Sequence, residues 1–390
     1  MPRPARRLSF SLNPSLAAAL LAAVLAGCAV APPPAAVPTP APTPAPAKPA
    51  AKALVIGHRG ASALRPEHTL AAYTKAIEDG ADAIEPDLVM TRDGVLVARH
   101  ENDITGTTNV AEVAAFADRK RIKVIDGERL TGWFTEDFTL AELKTLRARE
   151  RIPKVRPANT QYNDKFEIPT LAEIIALAAN ASRRSGRPIA IYAETKHSSY
   201  FRSIGLPLEE ALVTAIQGNA YTRQAPVFLQ SFETGNLRAL RQRIGKTLPN
   251  VKLVQLIGSP KRRPADWTLA GDTRTYADMT TSVGLREVAS YADGIGPDRG
   301  HILPRDSRGN IGTTTSLVRD AHAAGLLVHP YTLRPENSFL PRNLRGPGDD
   351  AARHPAGMVG EARALLEAGV DGFFTDDPAL GRQAVDAMAR

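Results

Sequence analysis

One cysteine, Cys28, stands in 390 residues. No disulfide can form within the chain, so a disulfide scaffold is excluded. Aromatic residues make up only 5%, and few accompany the basic clusters Arg119–Lys123 and Lys261–Arg263. Single-stranded nucleic acid is gripped by basic grooves interleaved with stacking rings, so nucleic acid is not an expected partner. Both clusters read as solvated faces, the ordinary fate of short charge runs. The apolar run Leu16–Ala26 is too short to hold a chain across a bilayer. Internal repeats are not evident.

What the N-terminus does have is the form of a secretion signal. Arg3, Arg6 and Arg7 precede the apolar run, so the formal net charge of +8 overstates that of a processed chain. The run ends in Leu25-Ala26-Gly27-Cys28, which resembles a bacterial lipobox. A signal peptide over residues 1–27 is expected, with Cys28 lipidated as the new N-terminus and holding the protein to a membrane. Position 29 is alanine rather than aspartate, which points to the outer membrane in a Gram-negative host. Residues 31–50 are almost entirely Pro, Ala, Thr and Val. Such a tract extends as polyproline II and packs no core. Residues 28–52 are therefore expected to be a semi-rigid linker, and the location the periplasm or cell envelope.

From residue 53 to 390 the pattern changes. Short apolar runs at 53–58, 82–88, 189–194, 226–231, 251–256, 293–297, 326–331 and 371–375 alternate with helical segments. Thr69–Asp79 has helical spacing and stops at Gly80; similar segments stop at Gly325 and Gly369. Eight such units predict an α/β fold, the (β/α)8 TIM barrel. Barrels of this kind carry their active residues at the carboxyl ends of strands. Here those ends hold His58 and Arg59, Glu85 and Asp87, Glu194 and Lys196, Gln230 and Phe232, and Tyr331. Pro86 cannot donate to a ladder, so it is expected at the rim where pairing ends. Val95–His100 alternates after Arg92-Asp93-Gly94 and predicts a hairpin strand that returns His100 to the mouth.

The chemistry of that rim is specific. Side chains two apart on a strand share a face, so Glu85 and Asp87 converge. Converging carboxylates serve a hard cation or share a proton. The flanking histidines titrate near neutral pH, which suits proton transfer. A cation site, paired histidines and an arginine together suggest chemistry at a phosphate.

The motifs H-R-G-A-S, P-E-H-T and E-P-D-L-V-M-T-R-D-G occur in order before His100. Y-A-E-T-K (192–196), L-Q-S-F (229–232), V-H-P-Y-T (328–332) and F-T-D-D-P (374–378) follow. This ordered set resembles the glycerophosphodiester phosphodiesterase family, especially its periplasmic branch. The resemblance implies the same barrel, with residues 103–167 as an inserted cap after the second strand. It implies Glu85, Asp87 and Glu194 as metal ligands. An all-oxygen set favours Ca²⁺ or Mg²⁺ over zinc, and the periplasmic branch favours Ca²⁺. His58 and His100 become the acid/base pair, although Glu101 stands where the family usually has aspartate. Arg59 and Lys196 are expected at the phosphate, with an Arg59–Glu67 ion pair as the alternative. Gln230, Phe232 and Tyr331 complete the substrate site, the two rings lining the apolar side of a glycerol pocket. His68, His197 and His329 are expected to be structural. The implied reaction is hydrolysis of a glycerophosphodiester to sn-glycerol 3-phosphate and an alcohol through a cyclic phosphate. Two rivals are a phospholipase on the same barrel and a non-catalytic lipoprotein that binds glycerophosphodiesters.

Overall fold

The structure is a computed structural model that describes residues 52–388. The expected signal peptide, Cys28 and nearly all of the linker lie outside the described residues.

The chain forms β1 (Leu54–His58), β2 (Ala83–Glu85), β3 (Asp87–Met90), β4 (Leu96–Ala98), β5 (Arg121–Ile125) and β6 (Glu128–Gly132). It continues with β7 (Ala190–Thr195), β8 (Val227–Ser231), β9 (Val251–Ile257), β10 (Gly294–Pro297), β11 (Leu327–Val328) and β12 (Gly372–Thr375). Hydrogen bonding runs in the order β11-β10-β9-β8-β7-β2-β1-β12. The ladders along this path are parallel. The chain after β11 closes the ring on β12, through Asp371 N to Val328 O at 3.0 Å, Phe374 N to Pro330 O at 3.0 Å and Leu333 N to Phe374 O at 2.9 Å. This is the expected (β/α)8 barrel.

Helices pack outside it, with ends where the sequence places them. Thr69 caps Leu70–Glu78 by accepting from Ala72 N, and Gly80 follows with φ 88°. Leu171–Ser185 starts with a Thr170/Glu173 capping box and ends at left-handed Gly186. Among the described residues no helix is long and apolar enough to cross a membrane.

The strands alternate between two cores. Val55, Ile84, Ile191, Leu229 and Phe373 belong to the cluster under the helices. Ile56, Ala83, Tyr192, Phe228 and Phe374 form the core inside the barrel. There Tyr192 stacks on Phe228 at 4.6 Å and meets Phe374 edge-on at 4.9 Å. Two residues further along four of these strands the inward side chain changes from apolar to polar. Ile56 is followed by His58, Ala83 by Glu85, Tyr192 by Glu194 and Phe228 by Gln230. The apolar layer is thus a floor, and the next layer is the site.

Pro86 departs from expectation. Pairing does not end there: β2 pairs β7 before it, and β3 resumes with Asp87 opposite Glu194 after it. Proline is tolerated because its carbonyl still accepts from Glu194 N at 2.9 Å. β3 then turns back through β4, with Leu88 opposite Ala98, and His100 follows this hairpin.

Residues 103–167 hold the β5–β6 hairpin, short 3₁₀ turns and the short helix Leu140–Leu143. The hairpin turn is Asp126-Gly127, both at positive φ. That is the Asp-Gly signal of a two-residue type I′ turn.

Candidate active site

The carboxyl mouth gathers every expected site residue among those described. Glu85, Asp87 and Glu194 are buried, and each offers an oxygen within 4.8 Å of the others. Burial, reinforced by Asp87 and Glu194, pushes Glu85 well above the usual carboxylate range. Glu194 is raised to about 7, first by burial, with Lys196 opposing and Asp87 adding to it. Asp87 goes the other way: burial would raise it, but His68, Lys196 and Arg59 hold it below its ordinary value. Asp87 Oδ1 is buried without a hydrogen-bond partner, and so is Gln230 Oε1. Buried polar atoms seldom stay unpaired. Three converging carboxylates and orphaned oxygens fit a hard divalent cation.

Arg59 and Gly60 both turn left-handed, at φ 59° and 88°. A Cβ at Gly60 would lie 2.5 Å from the Ala72 carbonyl carbon, so only glycine fits that turn. The turn points Arg59 N at Glu85 Oε2, 2.9 Å away. The Arg59 guanidinium sits 3.0 Å from Glu67 and 3.5 Å from Asp87. It therefore makes the alternative Glu67 pair and lines the inner pocket as well. Lys196 Nζ lies 3.0 Å from Glu194 Oε1 and 3.4 Å from His100 Nε2.

The histidines are each pinned on one nitrogen. His58 Nδ1 is 2.5 Å from Asp376 Oδ1. Arg156 and Arg334 also reach Asp376 and, against its burial, keep it well below the usual carboxylate range. An ionised Asp376 only accepts, so His58 Nδ1 carries the proton and Nε2 is left basic. Burial, with Arg59 beside it, lowers His58 to about 4. His100 Nδ1 is 2.7 Å from Glu101 Oε1, and burial with Arg59 and Lys196 lowers it to about 3. Both rings are neutral near pH 7.

Gln230 donates to Glu85 Oε1 at 2.9 Å. Phe232 meets Tyr331 and Tyr276 edge-on, each at 6.1 Å. Tyr331 donates to Ile257 O at 3.0 Å. With His58, His100 and Glu194, the side chains of Gln230, Phe232 and Tyr331 line an inner pocket of about 70 Å³.

Four supporting groups are not among the expected site residues. Asp376 belongs to the F-T-D-D-P motif at the end of β12, so its signal was strand-end position. Arg156 is bound to both Asp376 and Glu336 and comes from irregular chain with no pattern to mark it. His68, expected to be structural, binds Asp87 Oδ2 at 3.0 Å and Tyr73 OH at 2.8 Å. It orients an acid of the cluster. His197 likewise bridges Glu101 at 2.7 Å and Asp126 at 2.6 Å, which ties the hairpin turn to the partner of His100.

The carboxyl mouth of this TIM barrel thus brings together three carboxylates that could hold a cation and two histidines. The model of the glycerophosphoryl diester phosphodiesterase family matches residues 58–380, and the chain belongs to that family as a phosphoric diester hydrolase. It is 36% identical over 337 residues to a glycerophosphodiester phosphodiesterase of Arabidopsis thaliana, covering 82% of each chain. It is 28% identical over 347 residues to one of Haemophilus influenzae, covering 84% of this chain and 88% of that one. A solved structure from Silicibacter pomeroyi, named for the glycerophosphoryl diester phosphodiesterases, matches with TM-score 0.60 and 22% identity over 86% of this chain and 94% of its own. An Oleispira antarctica phosphodiesterase, solved with the product sn-glycerol-3-phosphate, matches at TM-score 0.51 and 19% identity over 85% and 96%.

Proposed function

We propose that the protein hydrolyses glycerophosphodiesters to sn-glycerol 3-phosphate and an alcohol, with a divalent cation and with His58 and His100 as acid and base. The observation that carries this is the buried trio Glu85, Asp87 and Glu194, set beside two histidines that share one pocket. The trio would hold the cation, Ca²⁺ before Mg²⁺. When bound, it supplies positive charge against the phosphoryl oxygens.

The chain's own residues do the rest. Arg59 and Lys196 add fixed positive charge toward the phosphate. One histidine takes the proton of the glycerol 2-hydroxyl as that oxygen attacks phosphorus. The other protonates the departing alcohol, and the roles reverse when water opens the cyclic phosphate. Both rings are neutral in the free site, so the proton given to the alcohol is taken up with the anionic substrate. Phe232 and Tyr331 form the apolar wall against glycerol carbons. The adjoining cleft mixes the rings of Phe232, Tyr276 and Tyr331 with the charged side chains of Asp126, Glu233 and Lys261–Arg263, and those charges favour soluble diesters over acylated lipids.

Residues 1–27 are proposed to be a signal peptide, 28–52 a linker and 103–167 a cap on the barrel domain 53–390. Lipid on Cys28 would hold the enzyme in the periplasm or cell envelope. The test of the activity is product analysis with glycerophosphocholine, glycerophosphoethanolamine and glycerophosphoglycerol. sn-Glycerol 3-phosphate is expected from them, and its absence with Ca²⁺ or Mg²⁺ added would refute the proposal.

A further inference from the structure

The loop after β9 carries Gly258-Ser259-Pro260-Lys261-Arg262-Arg263 into the helix Ala265–Leu269. It leaves the carboxyl end of a barrel strand, as functional loops of this fold do. Lys261–Arg263 are exposed, as their short charge run suggests. They line a cleft of about 560 Å³. That cleft shares Glu194, Lys196, Phe232 and Tyr331 with the inner pocket, so the two are continuous.

The charges in the cleft do not balance. Lys261 has no carboxylate within ion-pair distance among the described residues. Arg263 donates to the backbone oxygen of Asp272 at 3.2 Å. Arg262 meets Glu128 at 3.3 Å, with both side chains largely exposed. The acids of the cleft are already engaged. Asp126 is held by His197. Glu233 accepts from Ser199 N at 3.1 Å and from Ser199 Oγ, and burial raises it to about 7. The outer cleft is therefore positive. If the phosphorus of a diester lies at the trio and its glycerol arm fills the inner pocket, the adjoining cleft is the room for its other arm.

We propose that Lys261, Arg262 and Arg263 form a subsite for a second phosphate carried by the departing alcohol, so that the enzyme favours glycerophosphodiesters of phosphorylated alcohols. The proposal rests on the diesterase reading above. Guanidinium and ammonium groups bind phosphate monoesters by charge-assisted hydrogen bonds. Because these side chains are exposed, salt screens the preference. A phosphate could also be presented by a lipid headgroup, and the assay separates the two sources.

The test compares kcat/KM of the full-length enzyme, free of membranes, for glycerophosphocholine and for the glycerophosphodiester of a phosphorylated inositol. The expected ratio favours the substrate with two phosphates by about 10-fold or more at low salt, mainly through KM, and shrinks in about 0.5 M salt, where the Debye length is short. In the triple variant Lys261→Ala, Arg262→Ala, Arg263→Ala that ratio should collapse toward one. A single charge reversal, Arg263→Glu, should lower it in the same direction, which guards against a misfolded triple variant. A ratio unmoved by salt and by these substitutions, in an enzyme that cleaves both substrates, overturns the subsite and leaves the diesterase reading intact. So does inhibition of wild type, but not the variant, by anionic phospholipid vesicles without any substrate preference, since that marks a headgroup contact. Failure to cleave either diester refutes the diesterase reading itself.

Discussion

His58 and His100 each line the pocket with Nδ1 bound to a carboxylate, and the Nε2 of His100 also faces Lys196 Nζ at 3.4 Å. That arrangement assigns the supporting acids as well as the rings. His58→Ala and His100→Ala should each lower turnover by roughly 10²–10⁴-fold, the usual size of an acid/base effect, while substrate binding falls far less. Near wild-type turnover in either variant would refute that ring's role. Asp376→Asn keeps the shape but loses the charge that fixes the His58 tautomer, so it should lower kcat more than it raises KM. In the carboxylate trio proposed to hold the cation, Glu85→Gln would remove one ligand and should weaken Ca²⁺ binding in a calorimetric titration without unfolding the protein. Unchanged affinity would remove Glu85 from the site. At this scale the sequence was most legible where spacing forces convergence, as for Glu85 and Asp87. It was least legible for Arg156, whose partners Glu336 and Asp376 lie 180 and 220 residues away in the chain.

Among the elements, strand periodicity explains why the site could be read at all. A two-residue step carries each of four strands from the apolar floor to a polar end, and the sequence shows that step directly. Pro86 lacks a donor yet does not end the ladder, because its carbonyl still accepts from Glu194 N. The β5–β6 hairpin was legible in the turn Asp126-Gly127, though its strands are short and mostly exposed. Its turn is tied to His197, and that tie is pH-sensitive. Burial would lower His197, but hydrogen bonds to Asp126 and Glu101 overcome it and raise it from 6.5 to about 9. Its stabilising contribution is therefore complete below pH 6.5 and lost as pH rises through 9, up to about 3 kcal/mol. Denaturation midpoints at pH 6 and pH 10 should differ more in wild type than in Asp126→Asn. An equal difference in both would show that the tie contributes nothing.

For the whole molecule, the repeating strand–helix pattern made the barrel legible, and the chain beyond β11 supplies the closure that pattern alone could not show. The N-terminal reading rests on Leu25-Ala26-Gly27-Cys28 and the proline-rich tract. Cys28→Ser should block lipidation, and the protein should then leave the membrane fraction or persist as uncleaved precursor; a wild-type N-terminus found unmodified downstream of Cys28 would contradict it. The central claim is cation-dependent cleavage of glycerophosphodiesters at the barrel mouth. Its most direct test is the rate of sn-glycerol 3-phosphate release from glycerophosphocholine by purified enzyme stripped with chelator, before and after Ca²⁺ or Mg²⁺ is restored. The account predicts no release from the stripped enzyme and full recovery with the cation. Undiminished release in excess chelator would contradict it.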